Sequence, residues 1–303
     1  MALSEAETEY ERSGKMIDRS SIFPLGIGTW KIDKDHFDAD LEALLTSVSG
    51  GQNYLSLYML YENGEIVRQT RKFVDVAGRD NLFINTNLEG KISSTADVEK
   101  QLDEYLDILG ISYVDSLEVH HPWFSEIPLT EVYGAIKDLV SKGKVRYIGI
   151  SNAGIDLVKQ LHQEIGLDFC EGLYNLECKR CEDVGILNYC REQDIRFFCF
   201  QPLRRNRTAG RNYPLLLELS QKYQKTQNQV ILNWILKEKK IGAIVKSTSK
   251  ERIQENLASL AFTMEPKDYK KLNGFRAPEF DAVEIDWSGK GGITIDQLAN
   301  RFA

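Results

Sequence analysis

Short runs rich in β-branched and aromatic residues end at Thr29, Tyr58, Asn87, His120, Ser151, Tyr174, Gln201 and Lys246. The longer stretches between them repeat their apolar residues at helical spacing. Val98 to Leu109 (VEKQLDEYLDIL), Leu129 to Val140 and Val230 to Leu236 are examples. Strands alternating with helices over this length predict an α/β fold, a closed (β/α)8 TIM barrel. The rival is an open doubly wound sheet, which calls for a glycine-rich turn after its first strand. Here Gly26-Ile-Gly28 is followed by Thr29-Trp30 with no third glycine, so the dinucleotide fingerprint is absent.

Composition narrows the class without naming a function. The 303 residues carry a net charge of −7, which argues against a nucleic-acid surface, and no run approaches the length of a membrane span. The N-terminal MALSEAETEYERSGK is polar and acidic and does not read as a secretory signal. All five cysteines fall between Cys170 and Cys199. Cys178-Lys-Arg-Cys181 has redox or metal spacing but no second pair to complete four ligands, so reduced structural thiols and a cytoplasmic location are expected.

Chemistry in a barrel of this kind sits on the loops leaving the C-terminal strand ends. Tyr58 and Tyr61 follow the second strand, Asn87 ends the third, His120 the fourth, and Ser151-Asn152 the fifth. Phe200-Gln201 ends the seventh and Lys246-Ser247 the eighth. One polar and aromatic rim built from many strands reads as a single small-molecule site.

The chain resembles the aldo-keto reductases. The matching segments, in the family's order, are Leu25-Gly-Ile-Gly-Thr-Trp30, Tyr113-Val-Asp-Ser-Leu-Glu-Val-His120, Gly143-Lys-Val-Arg-Tyr-Ile-Gly-Ile-Ser-Asn152, Tyr174-Asn-Leu176, Pro202-Leu203 and Lys246-Ser-Thr-Ser-Lys-Glu-Arg-Ile-Gln-Glu-Asn256. The resemblance implies a barrel domain over residues 21–275, between a polar lead-in (1–20) and an extension (276–303) without a family counterpart. It also implies NADP(H) held across the C-terminal rim. Lys246, Ser247 and Arg252 fall where the family grips the adenosine 2′-phosphate, and Asn256 where it contacts adenine. Ser151 and Asn152 match the pair on the nicotinamide carboxamide, and Phe200, beside Gln201, keeps an aromatic face for the ring. Glu171 replaces a glutamine at the nicotinamide, where an anion favours the oxidised, cationic ring.

The catalytic side departs from the family. Its tetrad is Asp, Tyr, Lys and His, in which Tyr protonates the carbonyl, Lys paired with Asp lowers the Tyr pKa, and His orients the substrate. Tyr61 and His120 match, but Ser56 stands at the Asp position and Asn87 at the Lys position. Losing both charges together avoids stranding a buried one, which costs roughly 3–5 kcal/mol. Ser56 and Asn87 are expected to hydrogen-bond each other.

Strand alternation adds a further point. In Ser116-Leu-Glu-Val-His120, residues 116, 118 and 120 share a face, so Glu118 points inward below His120. Asn85 and Asn87 share the inward face of their strand. The polar interior reads either as a satisfied network or as a relocated acid/base on Glu118.

Three functions fit this pattern. One is an NADP(H)-dependent oxidoreductase acting on a carbonyl, an imine or an activated alkene. Another is a non-redox isomerase or lyase that uses Tyr61, His120 or Glu118 and retains the cofactor. The third is a catalytically silent NADP(H) sensor. Trp30, Tyr58 and Trp123 are expected to line the substrate pocket, and Ile293 to Phe302 has the spacing of a docking helix. Monomer and homodimer both stay open.

Overall fold

The structure, a computed structural model, describes residues 17–30, 32, 37–59 and 64–277. Eight parallel strands close in sequence order into one barrel. They are β1 (Leu25–Gly28), β2 (Tyr54–Leu57), β3 (Phe83–Leu88), β4 (Val114–Val119), β5 (Val145–Ser151), β6 (Phe169–Leu173), β7 (Arg196–Phe200) and β8 (Gly242–Val245). Around them run α1 (Phe37–Ser49), α2 (Glu65–Ala77), α3 (Thr95–Leu109), α4 (Leu129–Ser141), α5 (Ile155–Ile165), α6 (Arg180–Asp183) and α7 (Ile186–Glu192). Beyond these lie α8 (Arg207–Gly210), α9 (Pro214–Tyr223), α10 (Gln227–Asn233), α11 (Lys250–Leu257) and α12 (Pro266–Gly274). The expected strand ends fall within a residue or so of the observed ones.

The helices form where the apolar spacing puts them. In α3, Val98, Leu102, Tyr105, Leu106 and Leu109 are buried on one face. At its start the Ser94 backbone N–H donates to Asp97 Oδ2 at 2.9 Å, and Gly110 ends it in the left-handed region at φ 66°. The outward residues of the strands, such as Leu55, Ile84, Leu117 and Ile150, pack against these helices in the main apolar core.

The barrel interior is layered, and its layers differ in chemistry. Near the N-terminal end Tyr54 stacks on Phe198 (centroids 4.0 Å apart, planes 7° apart), with Phe83 at 5.6 Å and Phe169 at 6.3 Å. Gly242 makes room for this stack, since a Cβ there would lie 2.3 Å from two ring atoms of Phe198. That ring is pinned against Tyr54 and has nowhere to go. Gly242→Ala is therefore expected to cost about 1–3 kcal/mol or more, read as a lower urea midpoint. An unchanged midpoint would show that the stack has slack.

Above the aromatic floor the interior turns polar. Cα register aligns Gly28 with Ser56, Ser56 with Asn85, and Asn85 with Ser116; one step higher, Asn87 aligns with Glu118 and Glu118 with Gly149. Gly149 is required here, because a Cβ would lie 2.6 Å from Glu118 Cγ. Glu118 is thus inside the barrel, as strand alternation predicts. Residues 1–16, the loop around Tyr61 and residues 278–303, with the expected docking helix, lie outside the described residues.

Candidate active site

The polar interior leads up to the C-terminal rim. Glu171, on β6, is 1% exposed and its carboxylate lies across the barrel from its own strand. Tyr54 Oη donates to Oε1 at 2.7 Å, Tyr58 Oη to Oε2 at 2.8 Å, and Asn85 Nδ2 to Oε1 at 3.0 Å. Burial pushes this carboxyl up to about 7, against the pull of the three donors. Burial and then the Glu171 charge raise Glu118 well above the ordinary carboxylate range, with Asn85 opposing. Asn85 Nδ2 gives its hydrogen bond to Glu171, and no hydrogen bond of ordinary geometry reaches either Glu118 oxygen. Tyr54, buried beside both carboxyls, has its hydroxyl pushed well above the usual phenol range by burial first and those charges second.

The expected Ser56–Asn87 hydrogen bond is not formed. Ser56 Oγ and both amide atoms of Asn87 are buried without partners. Register explains the failure: Ser56 sits opposite Asn85, so Asn87 lies two residues further up the neighbouring strand. A lysine is long enough to bridge that step, whereas serine and asparagine are not. The network that does exist is centred on Glu171.

His120, beyond β4, packs edge-on against Tyr58 at 4.7 Å and against His121 at 3.9 Å, and His121 meets Trp123 at 5.0 Å. Burial, with His121 adding to it, lowers His120 well below the usual imidazole range, and burial takes His121 down to about 3. Both imidazoles are therefore neutral near pH 7. His120 is a hydrogen-bonding group in this site and not a cation. Tyr58 and Trp123 are joined through the two histidines, and the Arg205 guanidinium lies 3.7 Å over the Trp30 ring.

Ser151 closes β5 and Asn152 follows at φ 56°, the left-handed conformation asparagine tolerates. Asn152 Nδ2 donates to the His120 carbonyl at 3.1 Å and to Ser151 Oγ at 3.2 Å, which leaves Oδ1 to accept from a bound amide. Phe200 is half-buried at the end of β7, against Leu173, Cys178 and Ala277. Gln201 follows with φ 52°, and its carbonyl accepts from Asn175 at 3.3 Å. Beyond β8, Lys246 is exposed and Ser247 Oγ accepts from the Ser249 N–H at 3.1 Å. Ser249 caps α11, which carries exposed Arg252 and buried Asn256. Two cations thus flank a helix N-terminus, a setting that suits phosphate.

Four features went unread in the sequence: Tyr54 as a ligand to Glu171, His121 as a neighbour of His120, Arg205 on Trp30, and the enclosure of Glu177. Glu177 is fully buried and pairs with Arg204 and, at 3.1 Å, with Arg211; Tyr213 Oη donates to it at 2.7 Å. This anchors the loop after β7, where Arg204, Arg205 and Asn206 all take positive φ. Tyr54 was recoverable, because residues 54, 56 and 58 share one strand face. The five cysteines are free and buried, as expected for structural thiols, and burial pushes Cys178 up to about 11. Among the described residues no cluster of three or more His, Cys, Asp or Glu could hold a metal, and no helix is long and apolar enough to cross a membrane.

The barrel fold agrees with the comparisons to known proteins. The aldo-keto reductase family 1 member A1 of Bos taurus is 24% identical over 281 residues, covering 82% of this chain and 84% of its own. A thermostable aldo-keto reductase solved with the inhibitor epalrestat is 26% identical, with a TM-score of 0.76 over 86% of this chain and 96% of that one. An aldo/keto reductase from Klebsiella pneumoniae, solved with NADP and acetate, is 21% identical and matches in fold with a TM-score of 0.76 over 83% and 90% of the two chains. The family model described as Aldo/keto reductase family matches residues 24–277. The chain belongs to the aldo/keto reductase family.

Proposed function

We propose that this chain is an NADP(H)-binding oxidoreductase whose proton-donating site is altered at Ser56 and Asn87, acting on a carbonyl, an imine or an activated alkene. The observation that carries the reading is the rim. Lys246 and Arg252 frame the start of α11 on one side, and Ser151 and Asn152 hold a fixed pair of amide-binding groups on the other. Lys246, Ser247 and Arg252 would hold the 2′-phosphate, Asn256 the adenine, Ser151 and Asn152 the carboxamide, and Phe200 the nicotinamide face. The cofactor bound there would supply or accept a hydride.

The chain's own groups divide the remaining work. Tyr58 donates its hydroxyl to Glu171 and is committed to that bond, so the acid role falls to Tyr61. Neutral His120 orients the substrate. With Asn87 in place of a lysine, β3 brings no cation to assist proton donation by Tyr61. That weakens protonation of ordinary carbonyls and leaves substrates that need less help.

The cofactor assignment is tested by fluorescence titration. NADPH is expected to bind at least about tenfold tighter than NADH, and Arg252→Ala to remove about tenfold of NADPH affinity with little change for NADH, as a charge-assisted phosphate contact requires. Equal affinities for the two nucleotides in the wild type would sink the assignment.

A further inference from the structure

Unpartnered polar atoms cluster in the barrel interior around the Glu118 carboxyl. Glu118 Oε1 and Oε2, Asn85 Oδ1 and Asn87 Oδ1 are all buried acceptors without a donor, and the hydroxyls of Ser56 and Ser116 lack partners beside them. The one amide donor left over is Asn87 Nδ2. Buried polar groups are nearly always paired, and leaving one unpaired costs about 1–3 kcal/mol, more when it is charged. The two hydroxyls and the Asn87 amide can serve the amide oxygens, which leaves the paired Glu118 oxygens as the acceptors that a donor-only ligand would satisfy. Ammonium groups donate three hydrogen bonds and accept none.

Charge points the same way. Glu118 and Glu171 both lie inside the barrel, and neither forms an ion pair with a described residue. Both neighbouring imidazoles are neutral. Glu171 already has three donors, so Glu118 is the oxygen pair left open. It sits below His120 on the same strand face and beside Asn87, where the family resemblance places the tetrad lysine.

We propose that Glu118, with Asn85, Asn87, Ser56 and the Glu171 charge behind them, forms a subsite for the protonated nitrogen of the substrate, a primary amine or iminium group entering from the rim. The subsite rests on the oxidoreductase reading above and names its substrate class. An iminium carbon would take a hydride as its C=N π electrons become the nitrogen lone pair, so its reduction asks Tyr61 for no proton, the step that Ser56 and Asn87 leave poorly supported; in the reverse oxidation the ammonium would first pass an N–H proton to the Glu118 carboxylate. The substrate's cation occupies the place of the missing lysine ammonium.

Calorimetric titration of the full chain, saturated with NADP+, with benzylammonium and with benzyl alcohol at pH 7.5 tests this. Benzylammonium is expected to bind at least about tenfold tighter than the alcohol, and Glu118→Gln to abolish the preference. Asn87→Lys, which supplies an internal ammonium, is expected to abolish it too, and serves as the second variant should Glu118→Gln fold poorly. Equal affinity for amine and alcohol, or a preference that survives both substitutions, overturns the proposal. Saturation by potassium or sodium chloride that benzylammonium does not compete away also overturns it, since the subsite would then serve an inorganic ion. NADPH binding is measured by fluorescence on the same preparations. If NADPH binds and the amine preference is absent, the subsite alone fails. If NADPH does not bind, the oxidoreductase reading fails, and titration of the cofactor-free protein still decides whether the subsite selects a cation.

Discussion

Asn87→Lys is expected to raise NADPH-dependent reduction of a reactive aldehyde by about 10²-fold, and to do so without a second change at Ser56. From the tetrad pattern alone, repair calls for both positions, because a lone buried cation needs a partner. The structure supplies that partner. Asn87 and Glu118 are Cα neighbours across β3 and β4, and both Glu118 oxygens are open. An ammonium introduced at position 87 meets a carboxyl that is already desolvated and draws it into its ionised form, so the main further cost is the ammonium's own desolvation, and the cation then supports Tyr61 as an acid. Ser56→Asp alone moves the other way. It adds a third carboxyl to an interior that already strains to hold Glu118 and Glu171, and is expected to destabilise by several kcal/mol. The double variant should reduce the aldehyde no more than about tenfold faster than Asn87→Lys. Single-turnover rates at pH 7 for the wild type, both singles and the double decide the matter. If neither lysine-bearing variant exceeds the wild type, the interior has been rebuilt for chemistry that a proton donor at Tyr61 does not limit.

The barrel and its rim were legible because their signals are local. Strand ends follow from runs of a few residues, and the inward face of β4 follows from alternation, which is why the inward position of Glu118 is readable in the sequence. Contacts across the barrel are not local. Tyr54 and Glu171 are 117 residues apart, and nothing in either neighbourhood says that a phenol and a carboxylate meet. The Ser56–Asn87 pairing failed for a related reason: two replaced partners need not stay in contact, and the two-residue offset of Asn87 above Asn85, the partner of Ser56, with the shortness of both side chains, keeps them a layer apart. Arg204 and Arg205 at positive φ were hidden as well, because bulky residues rarely adopt that conformation unless the surroundings impose it. The buried ion pairs of Glu177 supply that constraint here.

Glu118→Gln is expected to stabilise the free protein at pH 8 while removing its preference for a cation. Glu118 has its folded-state pKa raised above the unfolded value. Below about pH 4.5 the group is protonated in both states and contributes no difference. As pH rises, the unfolded chain ionises first, so unfolding releases a proton and stability falls by about 1.4 kcal/mol per pH unit until the folded pKa is reached. Glu171, raised to about 7, acts in the same direction over its own window. His120 and His121 act in the opposite one: their folded pKa values are lowered, so stability is lost as pH falls below about 6.5. The wild-type curve between pH 4.5 and 6.5 is thus a near cancellation, and the variant removes one of the two carboxyls on one side of it. Urea midpoints for the two proteins at pH 5 and pH 8 should show an advantage for Glu118→Gln that is at least about 1.4 kcal/mol larger at pH 8. Saturating benzylammonium should reverse this, because the wild type alone gains the binding free energy of the cation. A constant difference across pH would mean that Glu118 ionises as freely in the barrel as in water, and the interior would then have no need of a cation.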